Sequence, residues 1–154
     1  MNEHEEYMNE ALALAREAMA EGEVPVGCII VHNGRIIGRG RNRRETDKNA
    51  LAHAEIEAIN EACTALGGWR LPDCTLYVTL EPCPMCAGAI VNARIDRAVI
   101  ALPDPKAGAL GSVINFNSYP LNHKVALTYG VMKDEARAYM QSFFSELRKR
   151  IRKN

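Results

Sequence analysis

The sequence predicts an α/β fold in which a mixed central sheet is covered by helices on both faces. Three observations predict it. Helical and strand periodicities alternate along the chain. Residues 24–41 read as an antiparallel hairpin, with VPVGCIIVH and RIIGRGR flanking Asn33-Gly34, a pair that tolerates the positive φ angles of a tight turn. Strand 75–80, helix 84–93 and strand 97–102 read as a right-handed crossover, which makes those two strands parallel.

The elements follow in order. Residues 4–21 carry Tyr7, Ala11, Leu14, Ala15 and Ala18 at helical spacing, and Glu21-Gly22 ends that helix. The hairpin comes next, then the polar loop NRRETDKN. Residues 53–66 form a second predicted helix with Ile56, Ile59, Cys63 and Leu66 on one face. The loop GGWRLPD leads into strand 75–80. Pro82 suits the first turn of the helix that follows, where no amide proton is needed. After strand 97–102, residues 103–124 are loop-rich, a short strand lies near 125–129, and a last helix covers 133–150. No repeat, linker or low-complexity segment interrupts the chain, so residues 1–154 are expected to form a single domain.

Hydrophobic residues make up 47% and charged residues 25%, a balance that points away from a disordered chain. No apolar run reaches membrane-spanning length, and residues 1–23 are acidic where a signal peptide would be basic and then apolar. A soluble cytoplasmic protein without a membrane partner is expected. The five cysteines, Cys28, Cys63, Cys74, Cys83 and Cys86, are a poor disulfide framework. Cys28, Cys63 and Cys74 are expected in the core. The net charge is zero, yet residues 35–48 hold five arginines and one lysine against two acids, and LRKRIRKN at the end holds five basic residues and no acid. A neutral chain can therefore still present basic patches.

Cys83 and Cys86 stand three apart at a helix start, where the partial positive charge favours thiolates. Alone, C-x-x-C fits a redox pair, half of a metal site or two core residues. There is no second C-x-x-C, but His53 and Glu55 stand in LAHAEIEAINEA. Two residues apart inside a helix would point nearly opposite ways. For both to approach one metal, the helix must begin at about residue 53. One histidine and two thiolates give three protein ligands and leave a position open, as in catalytic zinc sites. Zinc lowers the pKa of a bound water from 15.7 to roughly 7, and a neighbouring carboxylate can carry protons.

His53-Ala54-Glu55 followed by Pro82-Cys83-Pro84-Met85-Cys86 matches the H-x-E…P-C-x-x-C signature of zinc nucleobase deaminases. The chain resembles the bacterial tRNA-specific adenosine deaminases, of the zinc-dependent cytidine and deoxycytidylate deaminase superfamily, over nearly its whole length. EVPVG (23–27), GRGRN (38–42), AHAEIEAI (52–59), TLYVTLEPCPMCAGAI (75–90), DPKAGALGS (104–112) and NHKV (122–125) carry the resemblance. It departs at Ala101-Leu102 and in VINFNSYPL, residues 113–121.

The resemblance implies a three-layer α/β/α sandwich with a five-stranded, cytidine deaminase-like sheet, and a homodimer. It implies one zinc ion per chain on His53, Cys83 and Cys86, with Glu55 as the catalytic proton carrier. The implied reaction is hydrolytic deamination of the wobble adenosine of a tRNA anticodon stem-loop, usually of an arginine tRNA, to inosine. Asn42 matches a family position that contacts the target nucleoside, and the backbone near Ala54 and Cys83 is placed to hold the water or developing charge. Asp104, Asn122 and His123 lie in family-matching loops and are weaker candidates. Arg41, Arg43, Arg44, Lys106 and the basic tail are candidates for phosphates. Phe143 and Phe144 are candidates for base stacking, one of the pair being expected in the core. A deaminase of free guanine, cytosine or cytidine would share the same zinc core. A non-catalytic zinc-stabilised RNA module leaves Glu55 unexplained, and a thiol redox protein leaves His53 idle.

Overall fold

The computed structural model describes residues 1–153. Its elements run α1 Glu3–Ala20, β1 Gly27–His32, β2 Arg35–Arg41, α2 Ala54–Leu66, β3 Cys74–Leu80, α3 Pro84–Asn92, β4 Arg97–Leu102, a 3-10 turn, β5 Ala126–Tyr129 and α4 Lys133–Lys153. The five strands form one sheet of order β2-β1-β3-β4-β5. β1 pairs antiparallel with both β2 and β3, while β3–β4 and β4–β5 are parallel. The sheet is therefore mixed, as expected. Asn33 and Gly34 close the hairpin with φ of 51° and 74°, the pair of positive angles that matches the twist of flanking strands.

Alternation along the strands feeds two cores. Ile29, Val31, Tyr77, Val99 and Ala101 face Met8, Ala11 and Leu12 of α1 and Ala136 of α4. Cys28, Ile30, Leu76, Val78, Ala98 and Ile100 face α2 and α3. This is the three-layer α/β/α arrangement. Among the described residues no helix is long and apolar enough to cross a membrane.

Helix α1 opens on a capping box: Asn2 accepts from the Glu5 amide, and Glu5 reaches back to the Asn2 amide. Its buried face is Met8, Ala11, Leu12, Ala15 and Ala18, rotated from the expected stripe so that Tyr7 and Leu14 flank the core. The expected face of α2 needs a larger correction. Ala54, Glu55, Ala58, Ile59 and Ala62 are buried there, whereas Ile56 and Cys63 are half-buried and Leu66 is exposed. The neighbouring strand explains it. A Cβ on Gly38 or Gly40 of β2 would lie 2.2 Å from the Ala58 carbonyl oxygen or 2.0 Å from that of Ala54. Glycine on the strand and alanine on the helix let the two backbones approach, so larger apolar residues turn outward. Cys28 and Cys74 are buried as expected, while Cys63 is only partly so.

Candidate metal-dependent active site

His53 is the N-cap of α2 and Cys83 the N-cap of α3; neither helix start has a side-chain cap. Their first amides are thus free to meet a ligand. Because His53 sits just outside its helix, with φ −88° and ψ 153°, it and Glu55 can face one point. Pro84, not Pro82, fills the first turn of α3. Pro82 is buried just before the cap, since the chain must leave β3 extended before Cys83 turns it into the helix.

The two helix starts converge. His53 Nδ1 lies 3.7 Å from Cys83 Sγ and 3.5 Å from Cys86 Sγ, and the three ligand atoms lie within 4.8 Å of one another. Ligands at ordinary Zn–N and Zn–S lengths around a tetrahedral ion are spaced about 3.6 Å apart. The donor set therefore fits zinc in both chemistry and spacing, and these three residues could hold one ion.

Glu55 is buried in the first turn of α2. Burial holds its carboxyl up at about 7, against an ordinary 4.5. The Cys86 thiol pulls Cys83 down to about 4, and burial opposes that shift. Cys86 is correspondingly raised, through its bond to Cys83 and then through burial. The Cys83 contact raises His53. One thiolate and a set of shared protons form a cluster ready to exchange protons for a cation.

His53, Glu55 and Cys83 line an open cavity of about 190 Å³ with Val24, Val26, Asn42, Arg44 and Asp104, and Cys86 is buried behind it. It lies at the C-terminal end of β3, the end where ligands bind in open α/β sheets. The Asn42 amide donates to the Val24 carbonyl at 3.2 Å, and its side-chain oxygen accepts from the Arg44 amide at 3.2 Å. Asp104 Oδ1 accepts from the amides of Lys106 and Ala107 at 3.0 and 3.3 Å. Ala54 lines the same cavity.

Other expected contacts lie elsewhere. Lys106 and Asn122 are exposed and do not line the cavity. His123 Nε2 donates to the Ile95 carbonyl at 2.7 Å, a structural role. Arg41 pairs with Glu21 at 2.6 Å and Arg43 with Asp47 at 3.3 Å. Phe143 and Phe144 meet edge to face with centroids 5.2 Å apart. Phe143 lines a groove with Met19, Gly22 and Arg150 between α4 and the end of α1 and is only half-buried, and Phe144 is 38% exposed; contrary to expectation neither joins the core, because α4 buries little beyond Ala136.

Sequence reasoning missed two buried carboxylates. Glu23 accepts from the amides of Glu45 and Thr46 at 3.2 and 2.6 Å, tying down the loop that carries Arg44. Burial raises its pKa, but those donors outweigh burial and hold it below the ordinary value. Glu81 plays the equivalent part for the loop after β4. Their one trace in the sequence is that each acid breaks an apolar or turn-forming run, as Gly22-Glu23-Val24 and Leu80-Glu81-Pro82, a break that a solvent-facing acid makes equally well.

Residues 2–148 match the MafB19-like deaminase family. The chain is 48% identical to a tRNA-specific adenosine deaminase of Bacillus subtilis (strain 168), over 97% of this chain and 94% of the relative. A tRNA-specific adenosine deaminase of Streptococcus pyogenes serotype M1 is 42% identical over 97% and 88%. Among solved structures, one from a study of A-to-I editing by tRNA:A34 deaminases at the wobble position superposes with a TM-score of 0.84 at 44% identity, covering 87% of this chain and 98% of that one. A guanine deaminase from Nitrosomonas europaea gives 0.80 at 25% identity, over 90% and 83%.

Proposed function

This chain belongs to the family of tRNA-specific adenosine deaminases, and we propose that it hydrolyses the wobble adenosine of a tRNA anticodon, of an arginine tRNA foremost, to inosine and ammonia. The observation that carries the proposal is the buried Glu55 beside the His53–Cys83–Cys86 cluster, at the wall of one cavity. We further propose that residues 1–154 act as one cytoplasmic deaminase domain.

His53, Cys83 and Cys86 would hold one zinc ion, which when bound supplies a Lewis acid that makes water a nucleophile near neutral pH. Glu55 would take one proton from the attacking water and deliver it to the purine ring nitrogen, then carry the proton left on the added hydroxyl to the amino group, which departs as ammonia as the ring carbonyl forms. A carboxyl held near 7 suits a group that both accepts and donates protons at physiological pH. Free amides at the starts of α2 and α3 complement negative charge that develops on the reacting centre. Asn42 and Asp104 provide polar contacts to a nucleoside that has left its stack, as base-modifying enzymes require.

Arg44 and the exposed Arg148, Lys149, Arg152 and Lys153 would hold anticodon phosphates. Lys106, Asn122 and Phe144, outside the cavity, serve in the proposal as contacts to neighbouring nucleotides. A homodimer is part of the same reading, supported by the half-buried Ile56 and the exposed Leu51 and Leu66 around α2. The second reading, deamination of a free base or nucleoside, is favoured by the fold likeness to a guanine deaminase and opposed by the lower identity there.

One assay separates the two. Unmodified arginine tRNA is incubated with the protein and sequenced, inosine reading as guanosine, with free adenosine, cytidine, cytosine and guanine in parallel. Conversion confined to the wobble adenosine supports the proposal, and turnover of a free compound alone overturns the RNA substrate. Glu55→Ala should retain zinc and lose about a hundred- to ten-thousand-fold in rate; an active Glu55→Ala protein would remove the proton-carrier role.

A further inference from the structure

Glu81 is a charged side chain with only 2% of its surface exposed, and the chemistry at Glu55 leaves it without a role. It sits at the end of β3, directly before Pro82 and Cys83. The residue lines the same cavity as His53, Glu55 and Cys83, and its carboxylate oxygens are taken up by the loop that follows β4. Oε1 accepts from the Asp104 amide at 3.0 Å and from the Ser112 hydroxyl. Oε2 accepts from the amides of Leu110 and Ser112, each at 3.1 Å. Three amides and one hydroxyl of a single nine-residue stretch, 104–112, thus converge on one side chain.

The loop is shaped to receive it. A Cβ on Gly108 would lie 2.3 Å from the carboxyl carbon of Glu81, so the glycine lets the loop close over the acid without displacing its carboxylate. The Gly108 amide bonds the Asp104 carbonyl at 2.9 Å, and the Tyr129 hydroxyl donates to the Leu110 carbonyl, fastening the far side. The loop so held brings Asp104 and Ala107 to the cavity wall. A buried charge is retained at a cost in desolvation, which several well-directed donors offset.

We propose that Glu81 is a positioning residue for substrate: its carboxylate sets residues 104–112 as one wall of the cavity, so it governs binding and leaves the reaction at Glu55 and the metal cluster intact. Loop placement acts on whatever base enters, and the identity of that base rests on the preceding reading. Glutamine is nearly isosteric but presents an NH2 where a donor now approaches, so at least one amide of the loop loses its acceptor and the charge is lost to all of them.

The test compares wild type, Glu81→Gln, Glu81→Asp and Ser112→Ala. Zinc content, kcat, KM and backbone amide exchange over residues 103–113 are measured for each. The expected result for Glu81→Gln is faster exchange confined to that loop, unchanged zinc, kcat within about threefold and KM raised about tenfold or more. Ser112→Ala shows the same split at smaller amplitude and carries the test should Glu81→Gln not fold. Unchanged loop exchange overturns the proposal. So does a freed loop with unchanged KM, a loss confined to kcat, or loss of zinc. If wild type deaminates no tRNA, the substrate reading fails, and KM is measured on the free compound that wild type does turn over. Exchange at residues 103–113 reports on the anchor in either case.

Discussion

His53 Nδ1 lies 3.5 Å from Cys86 Sγ, although the two residues are 33 positions apart and belong to the starts of different helices. The site exists only while α2 and α3 keep their relative placement on the sheet. It is a tertiary device, with local sequence supplying only its parts.

From this follows the first prediction, on metal. Cys86→Ala and His53→Ala should each fall from about one zinc per chain to near none, because two protein ligands rarely hold the ion against competing water. Elemental analysis after dialysis reads the result. The core packing of α2 and α3 does not involve the ion, so circular dichroism of the variants should stay that of a folded α/β protein. One tightly bound zinc in either variant would contradict the ligand set.

A second prediction concerns pH and the metal-free protein. Burial holds the Glu55 carboxyl at about 7 in the folded chain, against 4.5 ordinarily. Between those values the folded state keeps a proton that the unfolded chain has released. The contribution of Glu55 to stability is therefore full below about pH 4.5 and is lost as pH rises through 7, about 3 kcal/mol at most. Glu55→Gln has no such proton to lose. Stripped of metal, it should match wild type near pH 4.5 and be the more stable of the two at pH 8. Denaturant titrations at both values decide it; parallel behaviour at the two would show that Glu55 titrates normally.

Two glycines should fail differently. A Cβ on Gly27 would lie 2.0 Å from the Ala11 carbonyl oxygen of α1, and one on Gly40 would lie 2.0 Å from that of Ala54 in α2. Both alanine variants should lose about 1–3 kcal/mol or more, since backbone cannot yield as a side-chain end can. Only Gly40→Ala pushes on the turn that follows His53. Its activity should fall beyond what lost stability explains, whereas folded Gly27→Ala protein should keep wild-type turnover. Chemical denaturation and kcat measured on the same samples separate the two effects.

The tail offers a fourth prediction. Arg148, Lys149, Arg150, Arg152 and Lys153 lie in the last two turns of α4, and none forms an ion pair among the described residues. Replacing Lys149 and Arg152 by glutamate should weaken binding to an anticodon stem-loop. Each lost phosphate contact should make the slope of log affinity against log salt shallower by about 0.7. Zinc content should not change. A salt slope equal to that of wild type would take the tail out of the RNA interface.

The residues that speak plainly in the sequence are those whose spacing is fixed by chemistry. His53, Glu55, Cys83 and Cys86 were legible because a three-ligand site with a neighbouring carboxylate needs just such a pattern, and the structure gathers them. The hairpin was legible because Asn33-Gly34 states its backbone angles directly. What depended on a partner element was misread. The face of α2 looks like Ile56, Cys63 and Leu66 if size is the guide, yet Gly38 and Gly40 on the facing strand demand alanine. Pro82 and Pro84 are equivalent in sequence, and only the path of the chain out of β3 decides which enters the helix. Glu23 and Glu81 pass for surface residues because an acid is buried only when distant amides come to meet it, and those amides belong to loops with no periodic signal.

Those two acids divide the labour of the molecule. The ion-binding cluster hangs from helices set into the sheet, while the walls of the cavity hang from Glu23 and Glu81. A loop suspended by its backbone amides keeps its course whatever side chains it displays outward, and Lys106 and Val113 are both displayed. Such a scaffold can exchange the compounds it admits through a few substitutions at the rim, without renegotiating the reaction performed beneath. Heritable change in substrate is thereby made cheap, and heritable change in chemistry is made rare.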